Sequence, residues 1–203
     1  ANLATKWSWG LEMLRTKRRS FGNIVGHIDG ISDNSSLSSW TSEQFDQSLN
    51  WKKVETLMKK WGGKTILKGI LDPEDAKMAV KLGADAIIVS NHGGRQLDGA
   101  LSSIRMLPQI VAAVAGNCEV WLDGGIRSGQ DVLKAKALGA TGTLIGRSYI
   151  YGLGAMGQIG VTKALEVIQK ELDNTMALCG HRDINDVNRD ILLVPNDFEG
   201  HWA

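Results

Sequence analysis

Thr65–Gly83 reads TILKGILDPEDAKMAVKLG: an apolar run, an acidic turn, then a helix-like stretch ending at a glycine. Asp72 is suited to cap the helix and Pro73 to occupy its first turn, where a missing N–H costs nothing. The helix is expected over Glu74–Leu82, with Gly83 as its C-cap glycine. The same unit recurs downstream. Ala86-Ile87-Ile88-Val89 leads into a glycine-rich loop and a helix near Ser103–Ala115. Glu119-Val120-Trp121-Leu122 leads into Asp123-Gly124-Gly125, and Ser128 can cap a helix running to Leu138. Thr143-Leu144-Ile145 then meets Gly146-Arg147.

These runs are nearly uniformly apolar, the pattern of strands buried on both faces of a parallel sheet. Four strands alternating with helices predict an α/β fold, either a barrel or a doubly wound sheet. Polar and glycine residues follow each strand, at the carboxyl ends where both architectures build their sites. Outside this core, WSWGLEMLRTKRR can be helical, while Gly22–Leu49, rich in Ser, Asn, Asp and Gly, reads as a long, partly mobile surface loop. Val161–Cys179 predicts an amphipathic helix with Ala164, Leu165, Ile168, Leu172, Met176 and Cys179 on one face. A short helix and an exposed end are expected beyond Gly180.

Composition sets the outer bounds. The chain has 203 residues, 43% apolar and 22% charged, enough to bury a core. Its net charge of +1 gives no global electrostatic case for nucleic acid as the partner. Twenty-four glycines against three prolines indicate tight turns, not a disordered linker. Cys118 and Cys179 form no CxxC pair, consistent with a reduced cytoplasmic compartment. No stretch approaches the roughly 20 apolar residues of a membrane span.

Three groups of residues carry chemistry. Gly124-Gly125-Ile126-Arg127 and Gly146-Arg147 each follow an apolar strand, and the second precedes a helix. Backbone N–H groups there can approach an anion, and Arg127 and Arg147 can grip a phosphate. Tight turns with surface arginines are the competing reading. His92 and Arg95 lie three residues apart around Gly93-Gly94, so both can aim into one pocket. Histidine exchanges protons near neutral pH and arginine forks onto a carboxylate, a pair suited to an organic acid with a proton to lose. A loop histidine beside a solvated arginine is equally compatible with the spacing. Lys68 interrupts an apolar strand, where a cation is costly unless an anion meets it. Otherwise it reaches past the strand end into water.

The segments ILKGIL (66–71), IIVSNHGGRQLDG (87–99), LDGGIRSGQDVLKAKALGA (122–140) and LIGRS (144–148) resemble, in order and spacing, the FMN-dependent 2-hydroxy-acid oxidase and dehydrogenase family. The resemblance runs from about Trp40 to about Cys179. The opening TKWSW…GNIVGHIDG looks most like its bacterial L-lactate dehydrogenase branch. The resemblance implies a TIM (β/α)8 barrel, with this chain supplying its C-terminal half, the last four strands. It implies that Lys68 stabilises the anionic reduced flavin ring, that Ser90 also contacts the flavin, and that Asp123 holds the ribityl chain. Gly124, Gly125, Ile126, Arg127, Gly146 and Arg147 would bind the FMN phosphate. His92 would take the substrate hydroxyl proton, or the α-proton in a carbanion route, and Arg95 the substrate carboxylate.

The activity so implied is oxidation of an (S)-2-hydroxy acid, L-lactate to pyruvate in the narrowest reading. Oxygen, a quinone or a cytochrome would take the electrons from FMN, and the protein would be a homo-oligomer, a homotetramer by family analogy. Another FMN barrel oxidoreductase or isomerase, or a non-catalytic half-barrel flavin module, are the alternatives. Residues 1–50 are expected to join a missing N-terminal half, 51–180 to form the half-barrel with its FMN and substrate sites, and 181–203 to form a tail. The family's active-site tyrosines and the aspartate that orients its histidine belong to that other half. Tyr149 and Tyr151, the two tyrosines here, follow Gly146-Arg147 instead. The chain is therefore expected to be a fragment that needs an N-terminal partner, as a separate chain or a missing segment. The basic run Arg15-Lys17-Arg18-Arg19 suggests a cytoplasmic protein peripheral to the inner membrane face, a solvated helix end being the alternative.

Overall fold

The computed structural model describes residues 5–16, 21–22, 24, 27–30, 34–44 and 46–198. It divides into two compact units, 1–54 and 55–203.

In the first unit, α1 (Trp7–Arg15) matches the expected helix and buries none of its side chains. Of the basic run, Lys17, Arg18 and Arg19 lie outside the described residues. The expected loop over Gly22–Leu49 is corrected, because α2 (Asn34–Gln44) runs through it. Its serines favour turns, yet Leu37 is buried and Thr41 bonds back to the Leu37 carbonyl at 2.7 Å. One buried anchor and a continuous backbone ladder outweigh weak propensities. A further helix that the sequence reading did not anticipate, α3 (Trp51–Trp61), crosses the unit boundary. Asn50 caps it by accepting from the Lys53 N–H at 3.1 Å. Trp51, Val54, Glu55 and Met58 form its half-buried stripe.

The second unit is the α/β body. Strands β1 (Ile66–Ile70), β2 (Ala86–Val89), β3 (Glu119–Asp123) and β4 (Gly142–Leu144) form one parallel sheet in sequential order. Helices α4 (Pro73–Lys81), α5 (Ser103–Val114) and α6 (Gly129–Ala137) make the crossovers. Local signals place their ends. The Asp72 side chain accepts from Glu74 N–H with Pro73 in the first turn, and Gly83 stops the helix at φ +82°. Ser128 and Asp131 form a reciprocal capping box at the start of α6.

The expectation of strands buried on both faces holds only at the centre. All four β2 residues are buried, whereas Ile66 on β1 is 54% exposed and β4 is half-buried throughout. Edge strands have a partner on one side only, so the apolar composition that fits a closed sheet meets solvent here. Ile87, Val89, Leu107, Ile110, Val114 and Leu122, from β2, β3 and α5, are the fully buried centre of the core.

The predicted C-terminal helix is the second part of a longer one, α7 (Arg147–Leu178), bent at Met156 and Gly157. At the bend the backbones of Gly152 and Gly160 touch: a Cβ on Gly160 would lie 1.9 Å from the Gly152 carbonyl oxygen. The expected apolar face also needs correction. Met176 is buried and Ala164, Ile168 and Leu172 are half-buried, but Leu165 is 51% exposed and Cys179 is exposed. Thr175 takes part of the inner stripe instead, its hydroxyl satisfied by the Glu171 carbonyl at 2.6 Å. Beyond Gly180 the expected short helix is two 3-10 turns, Ile184–Asp186 and Arg189–Ile191, and Val187 is buried with Leu133, Ala137 and Met176. Both cysteines are free thiols. Among the described residues no helix is long and apolar enough to cross a membrane, and no group of His, Cys, Asp or Glu could hold a metal.

Candidate active site at the carboxyl ends of the strands

Lys68 stands in β1 next to an irregularity. The register with β2 slips between Lys68 and Ile70, and Gly69 absorbs it at φ +97°, where a side chain would be strained. The lysine ammonium donates to Ser90 Oγ at 2.8 Å and pairs with Asp123 at the end of β3. Ser90, just past β2 and buried, donates to Asp123 Oδ2 at 2.8 Å and accepts from the His92 N–H at 3.1 Å. Three neighbouring strands thus meet in one polar triangle, which, with the 41% exposure of the lysine side chain, answers how a cation is tolerated in an apolar strand.

Burial by itself would raise the Asp123 pKa. Hydrogen bonds from Lys68 and Ser90, with the charges of Lys68 and His92, more than offset it and hold the carboxyl below its ordinary value. A depressed folded-state pKa makes this stabilisation complete above the unfolded value, about 4, and lost as pH falls through the folded one. The melting temperature of Asp123→Asn should therefore lie below that of the unsubstituted protein by a constant gap from neutral pH to about 4, closing at lower pH. A gap that widens on acidification would contradict the assignment.

His92, Gly93 and Gly94 form a 3-10 turn after β2 with φ of 55°, 68° and 74°. His92 and Arg95 line a single cavity of about 400 Å³, together with Lys68, Asp123 and Gly93. Gly124, Gly125, Ile126 and Arg127 from the β3 loop and Gly146 and Arg147 from the β4 loop line the same cavity. Every candidate named from the sequence reaches this cavity except Ser90. That serine stands behind it, in the wall of a neighbouring cavity of about 450 Å³ shared with Lys68 and His92.

The two glycine–arginine loops are joined by a residue sequence reasoning missed: Ser148 Oγ donates to the Ile126 carbonyl at 2.8 Å. Its signal was its place, directly after Arg147 in the first turn of α7. Leu144, Ile150 and Asn91 also escaped notice; the first two line the cavity and the third shapes the turn.

The two helix starts beside the cavity differ in what they can bind. At α6 the N–H groups of Arg127 and Ser128 are taken by Asp131 and that of Gly129 by Glu171, all at 3.0 Å. At α7 the capping residue is Gly146, which offers no side-chain bond. A Cβ on Gly125 or Gly146 would meet nothing within 4 Å, so the backbone there faces open space. The start of α7 is therefore the helix end that can take an anion, and Arg127 and Arg147 line the same cavity. The donor set fits the phosphate end of a flavin mononucleotide. Lys68 supplies a further cation in the same cavity.

Comparison with known proteins agrees. The family model described as FMN-dependent dehydrogenase matches residues 1–194. The L-lactate dehydrogenase of Actinobacillus pleuropneumoniae serotype 5b is 45% identical over 190 residues, covering 92% of this chain and 49% of that protein. The L-lactate dehydrogenase of Caulobacter vibrioides (strain NA1000) is 46% identical over 195 residues, covering 95% and 50%. Among solved structures, mandelate oxidase superposes with a TM-score of 0.72 at 48% identity over 77% of this chain and 46% of that one. A mandelate oxidase mutant with a monooxide FMN adduct gives 0.67 at 51% identity, over 70% and 45%. The chain thus spans about half the length of the curated relatives it matches. Its four parallel strands are a partial (β/α)8 barrel, and the chain belongs to the FMN-dependent dehydrogenase family.

Proposed function

We propose that the whole protein oxidises an (S)-2-hydroxy acid with FMN, and that its substrate is L-lactate, converted to pyruvate. The observation that supports this reading is the common cavity, which His92 and Arg95 line together with the two glycine–arginine loops. Arg95 holds the substrate carboxylate through two parallel N–H bonds, fixing the hydroxyl-bearing carbon toward His92. His92 accepts the proton that the substrate loses, from its hydroxyl or from its α-carbon. Bound FMN supplies the two-electron acceptor, which no side chain of this chain can be. Lys68 and Ser90 face its ring, Asp123 its ribityl chain, and Gly124, Gly125, Ile126, Arg127, Gly146 and Arg147 its phosphate.

The exposed edges of the sheet support an N-terminal half-barrel as partner, as a segment or a second chain, with 1–50 leading into it, 51–180 the half-barrel and 181–203 the tail. A homotetramer, a quinone, cytochrome or oxygen as final electron acceptor, and a cytoplasmic position against the inner membrane belong to the same reading. The mandelate oxidase neighbours, one of them solved with (S)-mandelic acid, favour a second substrate, (S)-mandelate, with an aromatic side chain.

Anaerobic mixing of the full-length, FMN-loaded protein with a panel of 2-hydroxy acids tests both. Fastest bleaching of the flavin by L-lactate is expected. Faster bleaching by (S)-mandelate would transfer the assignment, and a yellow protein that no acid bleaches would remove it. In Arg95→Lys, one ammonium cannot reproduce the fork. Loss of one charge-assisted bond, about 1.5 kcal/mol, should raise KM about tenfold with a smaller change in kcat. An unchanged KM would free Arg95 of the role.

A further inference from the structure

The backbone of the histidine turn is costly to hold. His92 adopts φ +55°, one of two positive-φ residues other than glycine among those described, and two further left-handed residues follow it. Such a conformation persists only where its surroundings over-determine it. Two side chains do so. Ser90 Oγ accepts from His92 N–H at 3.1 Å, and Asn91 Oδ1 accepts from Gly93 N–H at 3.0 Å.

Asn91 does more than close the turn. Its Nδ2 donates to the Leu101 carbonyl at 3.3 Å, across the ten positions that separate the two residues. The carboxamide therefore ties the start of the His92–Ala100 loop to its end. On its third side, a Cβ at Gly124 would stand 3.8 Å from Asn91 Oδ1, so the group also abuts the loop that begins the anion site. Gly93 needs an acceptor and Leu101 a donor. Of the common residues of this size, only an amide offers both: aspartate lacks the donor and leucine lacks each.

We propose that Asn91 is a positioning residue for the reaction. It fixes the left-handed turn that sets His92 and Arg95 in register, and registers that turn against the Gly124 loop. The proposal rests on the 2-hydroxy-acid oxidation argued above. It predicts that loss of the amide displaces the proton acceptor without emptying the flavin site, whose phosphate contacts come from other loops.

The test uses Asn91→Leu and Asn91→Ser in the full-length, FMN-loaded protein. Leucine keeps the volume and removes both bonds, whereas serine keeps an acceptor for Gly93 and abandons Leu101. Three quantities are read: FMN per chain, the limiting rate of anaerobic reduction by L-lactate per bound flavin, and amide hydrogen exchange across 92–101. FMN content should stay unchanged. The rate per flavin should fall about a hundredfold with leucine, the scale of a displacement near 1 Å, and about tenfold with serine. Exchange at Gly93 and Gly94 should accelerate in the same order. A purely structural role would lower melting temperature and flavin content while leaving the rate per flavin alone, and that result overturns the proposal. So does an equal loss in both variants. If the leucine variant does not fold, the serine variant decides, and the unsubstituted rate with unaltered exchange refutes the idea. Should the unsubstituted protein reduce with no 2-hydroxy acid, the catalytic reading fails on its own, and hydrogen exchange alone judges the pinning of the turn.

Discussion

Replacing His92 with asparagine should lower anaerobic flavin reduction by about 10²–10⁴-fold at neutral pH, the usual contribution of a positioned base, while FMN stays bound. Asparagine is the informative substitution because of the backbone. His92 sits at φ +55°, a region that asparagine enters readily and alanine enters with strain. His92→Asn keeps the turn and removes the proton acceptor, whereas His92→Ala removes the acceptor and loosens the turn. Flavin retention is expected because the groups proposed to bind the FMN phosphate lie on the β3 and β4 loops and not on this turn. The measurement is stopped-flow bleaching with saturating L-lactate, beside a flavin-to-protein absorbance ratio. Reduction by His92→Asn at the unsubstituted rate would end the assignment of His92 as base.

The second large effect lies outside the site. Gly129→Ala should destabilise the protein by about 3 kcal/mol or more, the upper range for an overpacked contact. A Cβ at Gly129 would stand 2.0 Å from the Leu172 nitrogen and 2.6 Å from the Ile168 carbonyl oxygen, both backbone atoms of α7 that no rotamer change can move. Relief requires α6 and α7 to separate. That separation would break the bond from Gly129 N–H to Glu171 and disturb the buried cluster of Leu133, Ala137 and Met176. Thermal melts should show a loss of several degrees, with FMN released early because Arg127 sits at the disturbed end of α6. A melting temperature within one degree of the unsubstituted protein would show that the helices yield more easily than their contact suggests.

The body of the fold was readable because its signals are local. Asp72 with Pro73, Gly83, and Ser128 with Asp131 each mark a helix end through a bond within four residues. What escaped was set by distant contacts. Leu37 makes a helix of a serine-rich stretch because it finds a place to be buried, which composition does not reveal. Leu165 lies on the arc drawn from helical periodicity but stays exposed, because only the arc facing α6 is covered. The bend in α7 was hidden because it is made by a glycine, Gly157 at φ +61°, and lets Gly152 and Gly160, eight positions apart, touch, with no proline to mark it.

At the site, residue types were legible and connectivity was not. Lys68 announced itself as a charge inside an apolar run, and His92, Arg95 and the glycine–arginine loops by their chemistry and by following apolar runs. The Lys68–Ser90–Asp123 triangle joins residues from three strands, and the occupied N–H at the start of α6 depends on Glu171, 42 residues away. Such pairings exist only once the sheet has aligned its strands.

The bend in α7 also settles a matter of reach. A straight helix of 32 residues would extend about 48 Å, whereas a strand of five residues covers about 17 Å. Unbent, the helix would overhang the sheet by more than the sheet's own height, and its two ends could not serve the same body. Folding at Gly157 turns one long rod into two tools of different length. The nine residues before Met156 bring their first turn to the wall of the cavity, and the longer shaft beyond Gly157 lies against α6. Each can then change length at its free end without shifting the other, so additions at the bend should be the ones this half-barrel tolerates least.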